Sequence, residues 1–420
     1  MRVLLVTSHY PPDLVSGATL LVERLATGLD HAGHDVAVVS GAIGRGLADG
    51  ETEIEKRAGV AVHWIGTAER VHQDDDRNWR NDAARTLVAD LVDTWRPDVV
   101  HAHTLQTLGA TLLEPALAAD RPVVVTMHDY WWWCARLFLV DTELRSCPLA
   151  DGADRCPCAR DAAWRARRAE QLAAVLTRAD QVLVPSASMA RTVAMLGGTA
   201  EVDENGIATR DLDRAPTGRA DDTVIDTDTD TDTGTVRFLY VGGDSPLKGR
   251  DVLLGAAQRL RRRRGWTLDL YGVERPARSR RRWRDRPPDA VGFHPPFASS
   301  AAAAVIGRHH VVVIPSIARE SFSIVAREAL ACGRAVITSD CGGPTDVVIH
   351  GVNGLVVPVG DEAALADAIA ALSTDAGLLR RLMAGAAASA PARTIADQVA
   401  GLADRYQRLA GDPTEAGGAH

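Results

Sequence analysis

The chain has 420 residues, 46% hydrophobic and 24% charged, which excludes wholesale disorder, a collagen-like chain and a disulfide-dense mini-protein. With 55 acidic against 47 basic residues the formal net charge is -8, and an acidic chain is poorly suited to non-specific binding of nucleic acid, which runs on phosphate neutralisation. Six cysteines make no disulfide framework at this length, and no run approaches the roughly 18 to 20 uncharged apolar residues that span a bilayer. No secretory leader is visible at Met1–His9, so a cytoplasmic protein without a transmembrane segment is expected.

In chain order, Arg2–Ser8 reads as a buried strand, ended by a loop in which Pro11 and Pro12 remove backbone donors. Ala18–Ala32 carries Leu20, Leu21, Leu25 and Leu29 at helical spacing, Gly33 is a C-cap, and Asp35–Ser40 is the next strand. The alternation continues through strand Ala61–Ile65, helix Asp82–Thr94 and strands Asp98–His101, Arg121–Met127 and Gln181–Pro185. After Asn205-Gly206-Ile207 comes a polar stretch ending in an Asp-Thr tract, Asp226–Thr233, which repels itself and buries nothing; a solvated linker or insertion is expected. A second set follows: strands Val236–Val241, Trp266–Tyr271, His310–Ile314 and Arg334–Thr338, and helices Asp251–Arg263, Ser323–Ala331, Ala363–Leu372 and Thr394–Leu409. The basic runs Arg261–Arg264 and Arg278–Arg284 read as solvated faces, and the tail from Gly411 as frayed.

Strands alternating with helices predict an α/β fold with two doubly wound, Rossmann-like domains facing across a cleft. The expected organisation is an N-terminal Rossmann-like domain over 1–200, with a Cys/Trp-rich insert at 129–160. A linker or insertion over 201–235, a second such domain over 236–395 and a C-terminal helix and tail over 396–420 complete it.

Two segments carry chemistry. In Pro315–Leu330 a strand ends, a turn presents Glu320, and a helix opens near Ser321–Ser323, with Glu328 some two turns further on. A helix N-terminus has free N–H groups suited to phosphate or sugar oxygens, and carboxylates at two depths can grip two parts of an elongated ligand. In Tyr240–Asp251 a strand runs into Gly242 and Gly243, then Lys248 before a helix, which lets backbone and cation approach a diphosphate. Neither a Walker A order nor a G-x-G-x-x-G fingerprint is present, so a nicotinamide enzyme is disfavoured.

Together these segments resemble the GT-B retaining glycosyltransferases of family 4, the glycogen-synthase-like group. Glu320 and Glu328 stand in that family's E-x7-E arrangement and Lys248-Gly249 in its K-G pair. Tyr10-Pro11-Pro12 with Gly17, Gly33-His34-Asp35-Val36, Asp98–His103, Asn205-Gly206-Ile207 and Asp340–Leu355 fit the rest, so the resemblance covers nearly the whole chain. It implies a retaining transferase (EC 2.4 class) moving a sugar from a UDP-, GDP- or dTDP-linked donor to a small-molecule or glycan acceptor, with no catalytic cofactor, the domain over 1–200 on the acceptor side and that over 236–395 binding the nucleotide sugar. Lys248 would bind the diphosphate, Glu328 the ribose, and Glu320 with the amides at Ser321, Phe322 and Ser323 the transferred sugar. Gly17, Gly242 and Gly243 would lie on the donor. His128, in Thr126-Met127-His128-Asp129, matches the T-x-H-D segment and would contact the sugar ring. Three positions depart from the family: one glycine instead of two near Gly17, Gly243-Asp244 where an Arg is common, and Ser323 where glycine is common. The alternatives are a catalytically inactive sugar- or nucleotide-binding relative, or another GT-B enzyme such as a nucleotide-sugar epimerase.

Cys134, Cys147, Cys156 and Cys158 fall within 25 residues, directly after Trp131-Trp132-Trp133. Four thiols can hold one structural zinc ion, although the final Cys-x-Cys spacing is tight; free thiols and disulfides are the other readings. The three tryptophans are read as an acceptor-stacking surface or as packing of the insert.

Overall fold

A computed structural model describes residues 1–14, 16–67, 75–151, 156, 158, 161–208, 234–275, 287–389 and 392–411. The Asp226–Thr233 tract, the Arg278–Arg284 run and the tail beyond Gly411 lie outside the described residues.

The chain divides into two units, 1–141 with 147–206 and 393–420, and 142–146 with 207–392. The first unit is built on β1 (Arg2–Thr7), α1 (Gly17–His31), β2 (Asp35–Ala42), β3 (Thr52–Arg57), β4 (Val60–Gly66), α2 (Asp82–Thr94), β5 (Val99–Ala102), α3 (Glu114–Ala118), β6 (Val123–Thr126), α4 (Ala162–Arg178), β7 (Gln181–Val184), α5 (Ala187–Met195) and β8 (Glu201–Val202). Its sheet runs β3-β4-β2-β1-β5-β6-β7-β8. Every pairing is parallel except β3–β4. Val3, Leu4, Leu5 and Val6 are each 0% exposed, as a strand covered on both faces requires. The antiparallel β3 is an edge strand of sequence Thr-Glu-Ile-Glu-Lys-Arg, whose charges guard the edge against further pairing.

The second unit comprises β9 (Val236–Tyr240), α6 (Arg250–Arg259), β10 (Trp266–Tyr271), β11 (Val291–His294), α7 (Ala302–Gly307), β12 (Val311–Ile314), α8 (Ile324–Ala331), β13 (Ala335–Ser339), β14 (Gly354–Val357), α9 (Glu362–Thr374) and α10 (Ala376–Ala387). Its wholly parallel sheet has the order β11-β10-β9-β12-β13-β14.

The final helix, α11 (Ile395–Ala410), corrects the expected domain limits, because it belongs to the first unit. Its Val399, Leu402 and Tyr406 enter the core formed by β1 and α1. Gly28 of α1 is where the two helices touch: a Cβ there would lie 2.6 Å from Val399 Cγ2. Polar ties fix the same contact, with Arg393 donating to Asp203 at 2.9 Å and the Gly206 amide to Gln398 Oε1 at 2.7 Å. The first unit therefore extends to Gly206, and the linker expected to open at 201 starts with β8 and Asn205-Gly206 inside that unit.

Candidate active site

In an open parallel sheet, ligands collect beyond the carboxyl ends of two strands whose connections leave in opposite directions. In the second unit that point is β9 beside β12. The loop after β9 delivers Lys248 and the loop after β12 delivers Glu320, and the two meet: Lys248 Nζ donates to Glu320 Oε1 at 2.7 Å and to Oε2 at 2.9 Å. The Lys248 side chain is 43% exposed and that of Glu320 11%, so a cation at the surface rests on an almost buried carboxylate. Ser316 donates to the same Oε1 at 2.5 Å. The Glu320 backbone is stitched to the loop after β13, its amide donating to Cys341 O at 2.7 Å and its carbonyl accepting from Gly343 at 2.8 Å.

The sequence around this pair folds for identifiable reasons. Gly249, the residue after Lys248, has φ +77, and a Cβ there would sit 1.8 Å from the Pro315 carbonyl oxygen; only glycine lets the two loops touch. Phe322 is buried, with the Arg327 guanidinium 3.5 Å from its ring centroid and Arg327 donating to the Phe322 carbonyl. Ser323 caps α8, accepting from the Ala326 amide, and it does so at φ +64. That left-handed backbone accounts for why glycine suits this position, and a serine pays strain there. Glu328 lies half-buried on α8, one turn and a half beyond the cap. The turn thus carries Ser321, Phe322 and Ser323 into the helix start, as expected.

The departure at Gly243-Asp244 has a structural counterpart. Arg250 donates to Asp244 Oδ1 at 2.5 Å and to Asp251 Oδ1 at 3.0 Å, so its guanidinium braces the loop that carries Gly242 and Gly243. Gly243 is left-handed at φ +66, and its carbonyl accepts from the buried Tyr240 hydroxyl at 3.1 Å.

In the first unit the corresponding switch point is β1 beside β5. Gly17 opens α1 behind a capping box in which Ser16 and Thr19 satisfy each other's backbone. His128 follows β6, its Nε2 2.9 Å from His103 Nδ1. Burial pulls the His128 imidazole down to about 4 and pushes the neighbouring Asp129 carboxyl up to about 6, against the Trp131 amide that bonds it. His101 and His103, at the end of β5, stand beside His128; sequence reading quoted both in a motif without giving them a role. Their H-x-H spacing at the carboxyl end of a strand was the available signal.

Of the two readings of the tryptophans, packing holds and stacking does not. Trp131 and Trp132 are 2% and 4% exposed, packed edge to face in the core of the first unit, so neither presents a face for stacking. Trp133 is half-buried against the same core and touches the Gly198 position. Arg168, itself buried, donates to the Trp131 carbonyl and to Asn78 Oδ1 at 2.7 Å, which pins the segment from beneath. The cysteines are free thiols, Cys134 and Cys147 buried, Cys156 and Cys158 partly exposed. Burial first, then the neighbouring thiols, pushes Cys147 up to about 11. Among the described residues no three His, Cys, Asp or Glu side chains are arranged to hold a metal ion.

Two parallel-sheet α/β units, each with its loops gathered at a switch point, form the architecture of a GT-B protein. The profile for Glycosyltransferase Family 4 matches residues 15–210, and that for Glycosyl transferases group 1 matches residues 235–375. Glycogen synthase of Mycobacterium tuberculosis (strain CDC 1551 / Oshkosh) is 28% identical over 414 residues, 91% of this chain and 88% of the synthase. Sucrose-phosphate synthase from Thermosynechococcus elongatus superposes with a TM-score of 0.68 at 20% identity, covering 97% of this chain and 98% of that one. Anabaena Alr3699/HepE, solved in complex with UDP, superposes at 0.65 with 18% identity, covering 97% and 100%. The chain belongs to the GT-B glycosyltransferases of the family-4 type, and its activity is glycosyl transfer. Among the described residues no helix is long and apolar enough to cross a membrane.

Proposed function

We propose that the protein is a retaining glycosyltransferase that takes a sugar from a nucleotide-sugar donor, with the donor held by the second unit and acceptor-side groups in the first. The observation that carries the donor assignment is the Lys248–Glu320 pair at the β9/β12 switch point, with Glu328 further along α8. A UDP complex of a structural neighbour agrees with such a donor. Lys248 bonds the diphosphate, and in doing so loosens its hold on Glu320, whose carboxylate then takes hydroxyls of the sugar. As the glycosidic bond breaks, negative charge grows on the diphosphate and is met by the ammonium of Lys248 and by amides at the α8 start; no protein nucleophile is needed. Glu328 grips the ribose hydroxyls through charge-assisted hydrogen bonds of about 1.5 to 3 kcal/mol. His128 contacts the transferred sugar.

Glu328→Ala is expected to raise donor KM about tenfold or more with a smaller change in kcat. A folded variant with unchanged donor affinity would sink the ribose assignment. Retention is tested by product stereochemistry, an α-linked donor giving an α-linked product.

The four thiols lie near enough to disfavour one another's ionisation but are not arranged as a ligand set in this structure; we propose that Cys134, Cys147, Cys156 and Cys158 draw together around one structural zinc ion. Protein purified without added metal then carries close to one zinc per chain by elemental analysis; metal-free protein with full activity overturns it. A cytoplasmic setting, which keeps thiols reduced, agrees with the free cysteines.

A further inference from the structure

Three histidines of the first unit form one stack. His101 and His103 are 0% and 2% exposed, their ring centroids 4.2 Å apart; His103 and His128 lie 5.2 Å apart and within 22° of parallel. His101 uses both nitrogens, Nδ1 with the Tyr406 hydroxyl at 2.5 Å and Nε2 with Thr126 Oγ1 at 2.7 Å. His103 uses only one. Its Nδ1 meets His128 Nε2 at 2.9 Å, and its Nε2 is buried with no partner among the described residues.

Burial keeps all three rings neutral near neutral pH, His101 drawn down to about 3 and His128 to about 4, with neighbouring imidazoles adding to the effect on His101 and His103. A neutral imidazole carries one proton, so each ring has one donor and one acceptor nitrogen. In the His103–His128 contact one nitrogen donates and the other accepts. A proton on His103 Nε2 would be a buried N–H with nothing to receive it, whereas a proton on Nδ1 makes the bond to His128 and leaves only a lone pair unmet. Proteins orphan buried N–H groups more rarely than acceptors.

We propose that His103 is a positioning residue that donates from Nδ1 to His128 Nε2, fixing His128 as the Nδ1–H tautomer. His128 then presents an N–H at Nδ1, an atom with no bond to another described residue, and acts toward sugar oxygen as a hydrogen-bond donor, not as a general base. This inference rests on the reading of His128 as a sugar-contacting residue.

The test uses the full chain with 15N-labelled histidine and long-range 1H–15N correlation NMR. The wild type is expected to show His128 protonated at Nδ1 and bare at Nε2. His103→Phe removes the donor and the orphaned nitrogen together, so the fold and melting temperature are expected to hold while the His128 Nε2 signal moves to that of a nitrogen accepting no hydrogen bond. Its kcat is expected to fall about tenfold at unchanged donor KM. His103→Asn, whose amide N–H reaches near the Nδ1 position, is expected to restore both the Nε2 signal and the rate. Nε2–H in the wild type, or the wild-type Nε2 signal and rate in His103→Phe, overturns the proposal. So does a rate loss tracking a lower melting temperature without rescue by Asn. If the tautomers come out as expected but His128→Ala transfers sugar at the wild-type rate, the sugar-contact reading fails instead, and the positioning role falls with it.

Discussion

Lys248 and Glu320 show what a motif reveals and what it leaves out. Each was legible as a chemical group at the mouth of a strand, from the glycines before one and the helix start after the other. Their direct pairing was not, because 72 residues separate them and only the adjacency of β9 and β12 brings them together. Lys248→Ala is expected to cut kcat/KM by on the order of 10², since the lost cation acts mainly on charge that develops as the bond breaks. Affinity for the parent nucleoside, which has no phosphate, should stay level; parallel loss of nucleoside binding would make Lys248 structural. Ser323 makes the opposite kind of prediction. Ser323→Gly relieves a left-handed backbone worth about 1 to 2 kcal/mol and forfeits a cap that glycine replaces at a cost of a few tenths. The variant should therefore be more stable by roughly 1 kcal/mol in urea titration, and a less stable variant would show that the cap outweighs the strain. Trp131 and Trp132 left two readings open because an aromatic run looks the same whether it lines a surface or fills a core; their burial in the core of the first unit decides for packing.

At the scale of elements, the strands with continuous apolar runs were readable to within a residue or two: β10 appears as expected at Trp266–Tyr271, and α2 at Asp82–Thr94. Those without such runs were not. β3 is polar on both faces and exists through its pairing with β4, and α4 carries so many arginines that only Trp164, Arg168, Leu172 and Val175 mark its buried stripe. The β5 and α11 pair carries its own prediction. Tyr406→Phe strips the hydroxyl from His101 Nδ1 and leaves a buried ring nitrogen unmet, which should cost about 1 to 3 kcal/mol; an unchanged melting temperature would show that the bond contributes nothing. The same histidines set a pH dependence. Their folded-state values lie below the ordinary 6.5, to about 3 for His101 and about 4 for His128. Between those values and 6.5 the unfolded chain therefore binds more protons than the native one, and stability rises with pH. Acidifying from pH 6.5 toward 4 should lower stability, by at most roughly 1 kcal/mol per pH unit for a single buried ring, and replacing His101 by a residue that does not titrate should flatten that slope.

The whole molecule is two doubly wound units, and that much followed from the alternation of strands and helices. The ownership of the last helix did not, since nothing local in Ile395–Ala410 says which core its apolar stripe will join. A chain ending at Ala392 should lose the first unit's cooperative unfolding: Val399, Leu402 and Tyr406 together bury side chains worth about 1.5 to 3 kcal/mol each, against a whole-domain stability of about 5 to 15. A truncated chain that melts like the full one would contradict that assignment. The central claim, that the β9/β12 switch point holds a nucleotide sugar by its diphosphate and cleaves it, is tested most directly by release of nucleoside diphosphate. The full chain is incubated with UDP-, GDP- and dTDP-linked sugars without acceptor. The account predicts slow release from at least one donor, lowered on the order of 10²-fold by Lys248→Ala. No release from any donor, together with no rise in melting temperature with any nucleoside diphosphate, would contradict it.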